Sequence, residues 1–74
     1  MVTSAQLRAA RGLLNWTVRD LAEKSGVHRN TVTRIETEAT AAGHSLASIR
    51  NALEAGGVEF IPENGGGAGV RLRK

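Results

Sequence analysis

A glycine set between two short stretches of helical periodicity, TVRDLAEKSGVHRNTVTRIE at residues 17–36, constrains this chain more than any other feature. Thr17 is placed to cap a helix running from Val18 to about Ser25, with Leu21 and Ala22 facing inward and Arg19, Asp20, Glu23 and Lys24 in water. Gly26 closes that helix, because a residue without a Cβ enters the left-handed backbone freely, and Val27 behind it plugs the corner against a core. From His28 the helical pattern resumes to about Thr37, with Val32 and Ile35 inward and Arg29, Asn30, Thr33 and Arg34 on the other sides. Small Ala22 stands where two such helices must approach closely.

The flanks supply the rest of a small helical fold. Thr3-Ser4-Ala5-Gln6 fits a capping box, so a first helix starts there, shows Leu7, Ala10 and Leu14 at helical spacing, and weakens at Gly12 and Asn15. Residues 38–44 carry no single period and read as a connection. Ser45 is the expected cap of a fourth helix with an apolar stripe of Leu46, Ile49 and Leu53, stopped by Gly56-Gly57. Beyond it the period changes to two, with Val58 and Phe60 around Glu59, and Val70 and Leu72 around Arg71, while Pro62 to Gly67 is turn chemistry. The expected fold is mainly α: four helices followed by a short C-terminal β-hairpin or strand pair. Residues 1–56 form the helical domain and 57–74 a β extension suited to dimerisation.

Composition removes most other classes of function. A 74-residue chain is one domain at most, burying only about 60% of the surface its unfolded form exposes, too little for a substrate cavity. Ser4, Ser25, Ser45 and Ser48 read as caps, ends or helix positions with no His/Asp or Cys/His arrangement beside them, so no enzyme is expected. The glycines at 65–67 lack the Lys-Ser/Thr and the strand-to-helix setting of a phosphate loop. His28 and His44 have no carboxylate or thiol at ligand spacing, so neither a metal nor a cofactor is expected. Without cysteine there is no disulfide framework, and with no leader-like run and no apolar stretch near the roughly 20 residues of a membrane span, the expected location is cytoplasmic. Ten Lys and Arg against seven Asp and Glu leave a charge of +3, which favours a polyanionic partner.

Two short helices about a glycine turn are helix-turn-helix spacing, in which the first helix bridges a DNA backbone and the second lies in the major groove. In QLRAARGLLNWT, DLAEKSGV and HRNTVTRIE the chain resembles the lambda-repressor/Cro-like, or XRE, family of regulators. The resemblance implies that the second motif helix, residues 28–37, reads bases through Arg29, Asn30 and Thr33, with His28 and Thr31 near the groove entrance and Arg34 on phosphate. Those residue types suit the task, since Arg pairs bidentately with guanine, Asn with adenine, and the Thr methyl meets a thymine methyl. Arg11 and Glu36 stand where family members carry an ion pair between the first helix and the recognition helix. Where many members carry Gln at the start of the first motif helix, this chain has Val18, which cannot donate, so the phosphate contact there falls to Thr17, the helix-end amides and Arg19. Trp16 is expected to pack at a helix joint rather than to stack on a base.

The expectation is thus a sequence-specific regulator, in the first instance a repressor, that binds a palindromic operator in double-stranded DNA as a homodimer. A single short helix reads few base pairs, and Val58, Phe60, Val70 and Leu72 would leave an apolar strand edge open, so the C-terminal strands or the fourth helix are expected to join two copies. RNA polymerase or another protein is a further candidate partner. Two alternatives stay open: an antitoxin-type regulator, and an adaptor that uses the same fold to bind a protein through Arg29 and Arg34.

Overall fold

The computed structural model describes residues 2–37, 44–62 and 65–73. Helix α1 (Ser4–Leu13) begins where expected, with the Thr3 hydroxyl accepting the Gln6 amide at 3.1 Å and the Gln6 side chain accepting the Thr3 amide at 2.8 Å. It ends at Leu14, and Asn15 turns the chain at φ 57°, a left-handed conformation that asparagine tolerates better than most side chains. Helix α2 (Val18–Ser25) opens on a second reciprocal cap, in which Thr17 accepts the Asp20 amide at 3.0 Å and the Asp20 carboxylate accepts the Thr17 amide at 2.9 Å. Gly26 ends it at φ 75° and sends its amide to the Ala22 carbonyl at 3.0 Å. Helix α3 spans Arg29–Thr37 and helix α4 spans His44–Ala55. Since α4 is already helical at His44, Ser45 lies inside its first turn and is not the cap. Of the expected connection, residues 38–43 lie outside the described residues.

Strands β1 (Val58–Ile61) and β2 (Gly69–Leu72) pair antiparallel within the chain, Val58 opposite Leu72 and Phe60 opposite Val70. The alternation places both of those pairs on one face and the Glu59–Arg71 pair on the other. Of the expected turn, residues 63 and 64 lie outside the described residues.

One core joins helices and hairpin. Leu7 and Ala10 of α1, Leu21 of α2, Val32 of α3, Ile49 and Leu53 of α4, and Val58 of β1 are fully buried together. Gln6 ties the hairpin to α1: its Nε2 donates to the carbonyls of Ile61 at 3.2 Å and Gly69 at 2.9 Å, two residues that face each other across the ladder. The side chain that completes the α1 cap therefore also satisfies two carbonyls at the far end of the sequence. Gly56 is required by close approach, because a Cβ there would stand 2.8 Å from the Trp16 ring and 2.9 Å from Leu14 Cδ1. Trp16 itself is half-buried against the core at the α1–α2 joint, with the Lys24 ammonium 5.0 Å from its ring centroid.

Candidate nucleic-acid interface

Helix α3 separates its residues sharply by face. Val32, Ile35 and Glu36 are buried and Thr31 is half-buried, whereas Arg29, Asn30, Thr33, Arg34 and Thr37 are exposed. The residues expected to read bases thus share the outward side, and Arg34 stands on it one turn beyond Asn30, at the i, i+4 position that puts two side chains on one strip. His28 precedes the helix and is exposed; its Nδ1 accepts the Asn30 amide at 3.0 Å, and its carbonyl accepts the Thr31 and Val32 amides. The ring is therefore the cap of α3.

The far end of α3 is held from behind. Ser4 Oγ donates to the Ile35 carbonyl at 2.6 Å, and Arg8 donates through Nη1 to the Glu36 carbonyl. These are among the last carbonyls of the helix, which have no intrahelical partner and carry the negative end of its dipole. Arg11 forms a fork on the Glu36 carboxylate, Nε to Oε2 at 2.9 Å and Nη2 to Oε1 at 3.1 Å, and its Nη1 reaches the Trp16 carbonyl at 3.1 Å. Ser4, Arg8 and Arg11 fall at i, i+4 and i+7, so one face of α1 clamps the far end of α3. Sequence reasoning found Arg11 and missed Ser4 and Arg8, although that spacing is the signal.

A helix-turn-helix family model of the XRE/lambda-repressor-like type matches residues 7–56, more than half of the chain. The chain belongs to that family. It is a DNA-binding helix-turn-helix regulator of transcription. No curated protein matches the sequence. Among the described residues no helix is long and apolar enough to cross a membrane.

The start of α2 carries the residues expected to meet the DNA backbone. Arg19 is exposed at the start of α2, 3.8 Å from Glu23 in a pair open to solvent. Thr17 is also exposed, but the reciprocal cap engages the Thr17 and Asp20 amides, which leaves those of Val18 and Arg19 as the first-turn donors without an intrahelical partner. Hydrogen bonds from Thr17 hold the Asp20 carboxyl below the usual aspartate range, so a fixed negative charge stands at that end. Between α2 and α3 an open basin of about 750 Å³ is lined by Arg19, Glu23, Val27, His28 and Arg29 among others.

The residues expected to join two copies divide. Val58 is fully buried in the core of its own protomer, so its side chain meets no partner, which corrects that assignment. Phe60 and Val70 are half-buried against the same core, with the Arg50 guanidinium 5.6 Å from the Phe60 ring centroid. Leu72 is 46% exposed. Arg71 pairs with Glu59 across the hairpin at 2.9 Å, which raises the Arg71 pKa and lowers that of Glu59.

Proposed function

We propose that this regulator is a repressor that binds a palindromic operator as a homodimer, inserting α3 into successive major grooves. The observation that supports the reading best is the division of α3: one face clamped by Ser4, Arg8 and Arg11, the other presenting Arg29, Asn30 and Thr33 to solvent. Base contacts need rotamers on a rigid support, and α3 is capped locally at its start and held by α1 at its far end. Arg29, Asn30 and Thr33 contact bases, while Thr17, Arg19, His28, Thr31 and Arg34 border the groove and its phosphates. Arg11 and Glu36 orient the helix without touching DNA.

Residues 57–74 are the dimerisation element in this reading. β2 is paired on one side by β1, and the described residues offer its other edge no strand, while Leu72 supplies exposed apolar surface beside it. Two copies set half-sites about one helical turn of DNA apart, and occupancy of such a site in a cytoplasmic setting obstructs RNA polymerase.

Selection of bound sequences from random duplex DNA tests the proposal, followed by titration of the winner with wild type and Arg29→Ala at about 150 mM salt. A two-fold-symmetric winner that carries two protomers in sedimentation, with its preference relaxed by the substitution, is the expected result. One protomer per site removes the dimer, and no enriched sequence removes the sequence reader.

A further inference from the structure

We propose that Arg8 of α1 binds a DNA phosphate, on the strand that borders the groove across α3 from Arg34. The inference rests on the reading of α3 as the groove helix and adds a contact from outside the helix-turn-helix segment. It starts from the way the arginines divide. Arg11, Arg19, Arg50 and Arg71 each pair with a glutamate, at 2.9 to 3.8 Å. Among the described residues Arg8, Arg29, Arg34 and Arg73 pair with no carboxylate. Arg29 and Arg34 belong to α3 and Arg8 reaches its end, so three of these four uncompensated charges gather on one helix.

The guanidinium of Arg8 is held in a way that suits it to an anion. Its residue is exposed, and Nη1 donates to the Glu36 carbonyl. That bond fixes the group and leaves open its other edge, formed by Nε and Nη2. The same edge grips carboxylates elsewhere in the protein: Arg11 on Glu36 at 2.9 and 3.1 Å, and Arg71 on Glu59 at 2.9 and 3.3 Å. A phosphate offers a matching pair of oxygens, which a planar guanidinium meets with two parallel hydrogen bonds. In Arg8 this edge has no partner among the described residues.

The flank on which Arg8 stands follows from the pitch of α3. Glu36 lies seven residues, close to two turns, beyond Arg29, so those two share a side, whereas Arg34 is turned about 160° from Glu36. Helix α1 lies along the Glu36 side, where Arg11 grips the carboxylate and Arg8 the carbonyl. A helix with its side chains is about 10–12 Å across and the major groove about 12 Å wide, so a helix in the groove has a phosphate chain on each flank. Arg34 faces one chain and Arg8 the other. Because Arg8 is tied to the backbone of α3, its phosphate contact also fixes the position of that helix in the groove.

The test compares wild type, Arg8→Gln, Arg8→Lys and Arg50→Gln on the selected operator between about 50 and 200 mM salt. Each phosphate contact contributes about 0.9 to the slope of log affinity against log salt, so Arg8→Gln should lower the slope by about that much per bound protomer and weaken all sequences alike. Arg8→Lys keeps the cation without the fork and should keep the slope at reduced affinity. Arg50→Gln removes the same charge from α4, where it faces Glu54, and should leave the slope as it is. Replacing single operator phosphates by neutral methylphosphonates should reveal one position per half-site that weakens wild type more than either Arg8 variant. An unchanged slope in Arg8→Gln, an equal loss in Arg50→Gln, or the absence of such a position overturns the inference and leaves Arg8 as a support of α3 alone. If no operator is selected, the slopes are read on random duplex: a loss confined to Arg8→Gln sustains the phosphate contact although the sequence reader has failed.

Discussion

Replacing Arg11 by Met removes the charge opposite Glu36 while keeping most of the aliphatic stem, and its consequence can be worked from the geometry. The Glu36 side chain is 4% exposed, and the Arg11 fork supplies every hydrogen bond the described residues give its carboxylate. Removing one partner of a desolvated pair leaves a charge neither solvated nor paired, which typically costs about 3–5 kcal/mol. Because Arg11 is itself 24% exposed and its loss admits water, the lower end, about 3 kcal/mol, is expected. A chain of this length has on the order of 4–11 kcal/mol of stability in all, so the variant should melt roughly 12–24 °C lower. The matching double variant, Arg11→Met with Glu36→Leu, deletes the stranded charge along with its partner and should recover to within about 1 kcal/mol of wild type. Urea unfolding followed by circular dichroism on the four members of this double-mutant cycle measures both quantities. A single variant that loses less than about 1 kcal/mol, or a double variant whose loss equals the sum of the singles, refutes the argument that the pair is coupled and desolvated.

Two other perturbations test the structure at separate points. Gly56→Ala brings a Cβ against the Trp16 ring and Leu14, so it should cost about 1–3 kcal/mol despite the higher helix propensity of alanine, and should shift the Trp16 fluorescence. The Asp20 carboxyl is held below its ordinary value by hydrogen bonds from Thr17, so its contribution is present above the unfolded value, about pH 4, and is lost as pH falls through the lower folded value. The protection factor of the Thr17 amide, whose acceptor is that carboxylate, should fall in that acid window in wild type and be low at all pH values in Asp20→Ala; protection that ignores acid would count against the cap.

What was legible in the sequence had local causes. The limits of α2 follow from a hydroxyl at Thr17 and a glycine at residue 26, each acting within a turn of its own position, and the Thr3–Gln6 cap of α1 is equally local. The exposed strip on α3 was legible because Val32 and Ile35 set the phase of one short helix. The start of α4 was misplaced at Ser45 because a serine offers a cap equally well wherever it falls. A histidine at residue 28 gave no such signal, since a ring nitrogen seldom replaces a capping oxygen.

The sequence by itself determined the helix-turn-helix segment, its boundaries and the side chains it turns outward, because hydrogen bonds three or four residues apart and a period of 3.6 are properties of the chain alone. Only the tertiary structure decided what carries that segment. Gln6 bonds Ile61 and Gly69 across 55 and 63 residues, and Ser4 and Arg8 reach carbonyls of α3 across 31 and 28. Those partners are backbone oxygens, which every residue owns, so no side-chain pattern marks them. Val58 became core rather than interface for the same reason: strand alternation specifies which residues share a face, and the packing of α1 and α4 against that face decided where it points.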